Sequence, residues 1–522
     1  MKIPKKKKQK NAESQNERKH KKDVKMHELQ SGEEVRTKKR RRKKKKPESD
    51  MYEKRVSNKE TNIISFIFVG LFLILAGYMV YFNVNDAQTV INNPYNKRID
   101  NLTNKVVRGD ITAADGTVLA TTTVDKDGNE TREYPYGNIF SHVVGIATHG
   151  KMGIEKLSNF YLLSEPENII DQIYSDVTGE KATGDSVVST LNVAMQKAAY
   201  NAIGDNKGAV VAMDPKTGKV LCLVSKPDYD PNDADAKWDE WINYASDDSV
   251  LLNRATQGLY PPGSTFKILT TLEFIRENDD FNDFVYKCKG STTTGDTTIH
   301  CFESTVHGNE DLEHAFAYSC NSAFATIGQT LDLDQFKLLC ESFQFNKYLD
   351  IGIEYNQSSF TLDSSADTSD VMMTSIGQGK TMITPMQNLL IASTVANGGV
   401  MMKPYFVDKI VTADNDTVVE QNQPEEVGTL MTKDEANILT EYMKSVVSYG
   451  TGSNLKGTSY NPCGKTGSAQ YDDSDEYHSW FVGFAPADDP QVAISVVLEG
   501  GYKNVKAAQV IAKKVFDAYF TK

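Results

Sequence analysis

Cysteine is scarce in this chain. Six residues in 522, at positions 222, 288, 301, 320, 340 and 463, are too few to hold together a fold of this length. Stability must come from a packed core. Cys288 and Cys301 are the closest pair, in a Gly/Thr-rich stretch. An exterior location permits a disulfide between them; two free thiols are the other reading. Histidine is scarce too. The eight histidines do not cluster, and no Cys/His spacing matches a metal site, so neither metal nor cofactor is expected. Internal repeats are absent.

Charge is missing altogether from Ile63 to Phe82. Twenty helical residues at about 1.5 Å each span roughly 30 Å, the thickness of a bilayer's hydrocarbon. A secretory signal has a shorter apolar core and a small-residue cleavage site, for which Ala76-Gly77 is a weak candidate. What precedes this stretch is basic. Residues 1–60 hold 24 Lys and Arg against 10 Asp and Glu, whereas the whole chain has a net charge of -12. The positive-inside rule puts residues 1–60 in the cytoplasm and everything after about residue 84 outside. The run Lys38-Lys39-Arg40-Arg41-Arg42-Lys43-Lys44-Lys45-Lys46 suits anionic lipid. No base-reading motif accompanies it, so nucleic acid is not an expected partner.

Four regions follow. Residues 1–60 lack apolar periodicity and read as a disordered tail. Residues 61–84 read as the transmembrane helix. Residues 85–182 read as a small mixed module, with Asp115-Gly116 as a hairpin turn. Residues 183–522 read as an α+β domain. There, Ala209–Met213 and Val220–Val224 are strands joined by the turn residues Asp214-Pro215-Lys216-Thr217-Gly218. A helix-rich middle runs to about residue 400. A second hairpin turns at Asp488-Asp489-Pro490, and a last helix covers roughly 504–519.

Three short motifs carry chemistry: Ser264-x-x-Lys267, Ser319-Cys320-Asn321 and Lys465-Thr466-Gly467-Ser468. Each is weak alone. Ser453-Asn454-Leu455-Lys456 also fits the first, and Lys216-Thr217-Gly218 fits part of the third. Context discriminates. Only Ser264 opens an apolar helix after the stop Tyr260-Pro261-Pro262-Gly263, and i, i+3 spacing puts Lys267 on its face. A serine hydroxyl attacks poorly at neutral pH unless a base takes its proton. Lys267 is that base if burial and nearby cations lower its pKa. Ser319 can relay a proton, and Asn321 can bind a substrate amide or hold Lys267. Lys465 and Thr466 offer a cation and a hydroxyl to an anionic substrate terminus, and Gly467 lets substrate lie close to the strand. Backbone N–H groups of Ser264 and Ser468 can form an oxyanion hole.

This ordered set resembles the class B (monofunctional) penicillin-binding proteins, peptidoglycan D,D-transpeptidases. Supporting segments are Arg108-Gly109-x-Ile111 with Asp115-Gly116-x-x-Leu119-Ala120, Asn253-Arg254-Ala255, His307-Gly308, Gly377-Gln378-Gly379 with Thr384-Pro385, and His478-Ser479-Trp480-Phe481-Val482-Gly483. The resemblance implies an antiparallel sheet with helices, as in serine β-lactamases, on a short pedestal. It implies that Ser264 is acylated by stem peptides and by β-lactams. No glycosyltransferase signature lies between the membrane helix and residue 183. The resemblance implies a multi-pass membrane glycan polymerase as partner. Other readings are a D,D-carboxypeptidase using water as acceptor and a catalytically idle scaffold of the wall-synthesis machinery. A serine β-lactamase lacks an obvious deacylating Glu here. A β-lactam receptor needs further spans and a His-Glu-x-x-His.

Overall fold

The computed structural model describes residues 59–85, 105–164, 181–243, 249–470, 477–500 and 507–521. The tail expected to be disordered, and most of the connector after the apolar segment, lie outside these residues. The apolar segment itself is one helix, Lys59–Asn85, with Asn62–Phe82 long and apolar enough to cross a membrane. Its side chains, Phe66 and Phe72 among them, are exposed, and the helix is apolar on all sides.

The C-terminal part of the chain is built on a five-stranded antiparallel sheet. Its order is Cys463–Gln470, Tyr477–Ala485, Val492–Leu498, Gly208–Met213, Val220–Lys226. The two expected hairpins are thus one sheet, joined where Val492–Leu498 pairs with Gly208–Met213 and Ser495 faces Val211. Most of these strand residues are buried, so the strands read as near-continuous apolar runs, as strands covered on both faces do. Val210 and Ala212 face the helices Val193–Ile203 and Ala507–Phe520. Ala209, Val211 and Met213 face the main core, which contains the wholly buried helix Pro385–Ala396. Thr384 caps that helix through its side chain, and Pro385 begins it, where a missing N–H costs nothing.

The N-terminal module does not close on itself. Its six-stranded sheet runs Val418–Gln421, Val407–Val411, Ser186–Ser189, Ile111–Thr112, Val118–Val124, Glu130–Glu133. Strands from either side of residue 182 therefore share one sheet, and Ile111 and Leu119 belong to the same core as Phe266. The expected Asp115-Gly116 turn is present, with Gly116 at φ 84°. In the same module Glu155 is fully buried between two guanidiniums: Arg108 Nε donates to Oε2 at 2.6 Å and Arg132 Nε to Oε1 at 2.8 Å.

Candidate active site

Ser264 lies on a turn held from three sides. Tyr260 exchanges backbone hydrogen bonds with Ile383 at 3.0 and 2.8 Å. Trp480 Nε1 donates to the Pro261 carbonyl at 3.1 Å, and Gly263 N to the Gly377 carbonyl at 2.8 Å. Gly263 has φ 55°, and a Cβ on Gly377 would stand 1.9 Å from the Gly263 carbonyl oxygen. Both glycines are required by this close approach. Ser264 does not cap the helix, as the sequence led one to expect. It is the second residue of a 3-10 turn, Gly263–Phe266, that runs directly into the helix Lys267–Glu277. The residues in the cap positions are Pro262 and Phe266, and Ser264 itself is half-buried.

Lys267 is fully buried, and its amine is engaged elsewhere than on Ser264. Nζ donates to the Ser319 carbonyl at 2.8 Å, Ser319 Oγ at 3.2 Å and Asn321 Oδ1 at 2.8 Å. Burial lowers its pKa to about 8, against the opposing pull of Cys320, Cys301 and Glu310. Ser319 sits between the helices Leu312–Ala317 and Asn321–Gly328 at φ 59°, a left-handed conformation that costs a non-glycine residue roughly 1–3 kcal/mol. This bend aims its hydroxyl at two lysines, because Lys465 Nζ also donates to Oγ, at 2.9 Å. Asn321 Nδ2 donates to the His300 carbonyl at 3.0 Å, which fixes its oxygen toward Lys267.

Lys465 is fully buried too. Burial, then the neighbouring Lys267 charge, push its pKa well below the ordinary lysine value. Among the described residues neither lysine makes an ion pair. Lys465, Thr466, Gly467 and Ser468 lie on the edge strand Cys463–Gln470. Thr466 Oγ1 is 2.6 Å from Thr451 Oγ1, a partner that no motif signalled. Ser468 is half-buried opposite Ser479. Packing gives Gly467 a reason of its own, beside the expected one. A Cβ there would meet Trp480 Cβ at 3.0 Å, Thr265 Cγ2 at 3.1 Å and the Pro262 carbonyl at 3.2 Å. The glycine therefore admits the Ser264 turn against the strand. Ser264, Lys267, Ser319, Asn321 and Lys465 converge on this junction of turn, helix pair and strand. The competing pair Ser453 and Lys456 lies apart, exposed on a short 3-10 turn.

Of the two readings of Cys288 and Cys301, free thiols are the one found. Cys288 and Cys301 are not bonded; their sulfurs are 3.7 Å apart and both thiols are free. Nor are the potential metal ligands dispersed. Cys288, Cys301, His307 and Cys320 place one donor atom each within 4.8 Å of one another. Intervals of 13, 6 and 13 residues hide the group in the sequence.

Comparison with known proteins agrees with this geometry. Residues 208–518 match the penicillin binding protein transpeptidase domain, and residues 108–187 the penicillin binding protein A dimerisation domain. The peptidoglycan D,D-transpeptidase PbpA of Mycolicibacterium smegmatis is 31% identical over 77% of this chain and 85% of its own length. A crystal structure of the D,D-transpeptidase domain of a peptidoglycan glycosyltransferase from Eggerthella lenta superposes with a TM-score of 0.71 at 31% identity, covering 80% of this chain and 98% of that one. Penicillin-binding protein A of M. tuberculosis, as an imipenem acyl-enzyme complex, superposes with a TM-score of 0.73 at 27% identity, covering 81% and 100%. With a transpeptidase domain over more than half its length, the chain belongs to the class B penicillin-binding proteins.

Proposed function

We propose that this protein is a peptidoglycan D,D-transpeptidase whose nucleophile is Ser264. The observation that carries the reading is the buried Lys267 amine, three residues from Ser264 and sharing the Ser319 hydroxyl with Lys465. Neutral Lys267 takes the hydroxyl proton as Ser264 Oγ bonds to the carbonyl carbon between two terminal D-Ala residues. The N–H groups of Ser264 and Ser468 receive the oxyanion. Ser319 relays the proton to the departing amine, and D-Ala leaves. The amine of a second stem peptide then attacks the ester, loses its proton back along the same path, and releases Ser264 with a cross-link formed. Asn321 holds Lys267 and the substrate amide. Lys465 and Thr466 hold the stem's terminal carboxylate. Gly467 keeps turn and strand together. β-Lactams acylate the same serine.

The apolar helix supports a single membrane crossing, with the basic tail cytoplasmic and the catalytic domain outside. The four-region division of the chain belongs to the same reading, with the sheet shared across residue 182 as its joint. A multi-pass glycan polymerase supplies the strands to be cross-linked. To test the activity, the purified chain is incubated with lipid-linked stem peptide, such a polymerase and an acceptor. Cross-linked product is expected. Trimmed peptide alone would make the enzyme a carboxypeptidase, and unchanged peptide would leave it a scaffold. Co-purification that never recovers a polymerase would count against the partner.

A further inference from the structure

Between the two glycines of Gly377-Gln378-Gly379 stands a side chain that reaches the edge of the main sheet. Gln378 follows the helix Thr368–Ser375, and Gly377 and Gly379 flank it at φ 79° and 77°. Gln378 N donates to the Met373 carbonyl at 2.9 Å, and the Gly377 carbonyl accepts from Gly263 N at 2.8 Å. The backbone is thus pinned beside the Ser264 turn. With its amide turned so that each atom meets its complement, Gln378 Nε2 donates to the Gln470 carbonyl at 3.1 Å, and Oε1 accepts from Gln470 N at 3.1 Å. A primary amide carries a donor and an acceptor side by side, so it satisfies both groups as a neighbouring strand would.

These two bonds fix which backbone groups the edge strand turns outward. Cys463–Gln470 ends the sheet and pairs along its length with Tyr477–Ala485 in unbroken register. In an antiparallel pair, alternate residues send both N–H and C=O to the partner strand, and the residues between them send both outward. Gln470 sends both outward, to Gln378, so Ser468 and Thr466 do the same. The Thr466 carbonyl accepts from Lys465 Nζ at 3.2 Å. Among the described residues, Ser468 is the one of the three with both groups open. The Ser264 turn stands at this point, for a Cβ on Gly263 would lie 3.0 Å from the Ser468 carbonyl oxygen and 3.1 Å from Ala469 Cβ. An open edge binds an extended peptide as an added strand. We propose that Gln378 sets the donor specificity of the enzyme. Its side chain closes the edge of the strand at Gln470, so a donor peptide pairs at Ser468 and leaves the sheet before a second pairing.

The donor's register rests on the function proposed above, in which Lys465 and Thr466 hold its terminal carboxylate and Ser264 attacks beside Ser468. The donor then runs antiparallel to the strand, and its upstream part heads from Ser468 toward Gln470. Outward-facing residues of a strand repeat about every 6.8 Å. The residue bearing the attacked carbonyl faces Ser468, and the residue two before it would face Gln470. Gln378 occupies that place. Strand recognition is confined to the reacting residue, so the enzyme reads the D-Ala end of a donor and tolerates variation upstream.

Thioester donors whose acyl part ends in D-Ala and is two or three residues long test this on the full-length chain in detergent, with thiol release reporting acylation. In wild type the two KM values should agree within about twofold. N-methylation of the reacting residue, which faces the Ser468 carbonyl, should raise KM about tenfold. N-methylation two residues upstream should leave KM unchanged. In Gln378→Ala the three-residue donor should bind about tenfold tighter by KM at unchanged kcat, and the same upstream N-methylation should cancel that gain. A wild-type KM that rises on upstream N-methylation would overturn the proposal, and so would a Gln378→Ala KM that does not fall. Hydrogen exchange at Gln470 N–H checks the closed edge apart from catalysis. Exchange should be slow in wild type and about tenfold or more faster in Gln378→Ala. An unprotected Gln470 N–H in wild type would overturn the closure. Failure of every donor to acylate wild type would sink the Ser264 reading, and the exchange rates would then decide the closure by themselves.

Discussion

Lys465 Nζ lies 2.9 Å from Ser319 Oγ, fully buried and without a carboxylate partner among the described residues. Its second acceptor is the Thr466 carbonyl at 3.2 Å. Removing the hydroxyl leaves a buried amine under-bonded, which costs about 1–3 kcal/mol. Ser319→Ala is therefore expected to lower the denaturant midpoint and to slow acylation. Lys267 keeps the Ser319 carbonyl and Asn321, so Lys465 carries most of the loss. An unchanged midpoint would show that Lys465 does not depend on this contact.

The acylation rate should depend on pH through Lys267. Its folded pKa is lowered from 10.5 to about 8, by burial and against the pull of Cys320, Cys301 and Glu310. The base must be neutral, so the second-order rate constant should rise about tenfold per pH unit below that value and level off above it. Stability moves the same way. Between the folded and the unfolded pKa the unfolded chain binds more protons, so stability increases with pH there, and the cost of the buried charge is full below about pH 8. A rate profile flat from about pH 6 to pH 9 would exclude Lys267 as the titrating base.

Glu155 should be the acid-sensitive joint of the N-terminal module. Burial alone would raise its pKa, but Arg108 and Arg132 outweigh burial and hold it below the ordinary 4.5. Its stabilisation is present above the unfolded pKa and is lost as pH falls through the lower, folded one. Glu155→Ala leaves two guanidiniums without their partner, and breaking a buried pair in this way costs about 3–5 kcal/mol. Thermal unfolding of the variant at neutral pH checks this, and a melting temperature equal to wild type would contradict it.

The sequence showed the site more clearly than its frame. Ser264, Lys267, Ser319, Asn321 and Lys465 could be named because each motif is local and their order is informative. Strands such as Ala209–Met213 were visible because β-branched and apolar runs end at turn residues. Other features depend on distant packing. Val407–Val411 pairs with Ser186–Ser189 across more than 200 residues, and nothing local announces it. Gly467 also has a packing role against Thr265, Pro262 and Trp480 that its motif does not announce. Ser264 looked like a helix cap because serine often is one; the Pro261-Pro262-Gly263 stop instead tightens the chain into a 3-10 turn. The Cys₃His cluster escaped notice because its ligands reach one point from four segments.

The central claim is that Ser264 is the acylated nucleophile. Its most direct measurement is intact-protein and peptide mass spectrometry after incubation with penicillin, on wild type and Ser264→Ala. The account predicts one penicilloyl group on the peptide containing Ser264 and none on the variant. An adduct on the Ser264→Ala chain, on the peptide carrying Ser453 or any other, would contradict it.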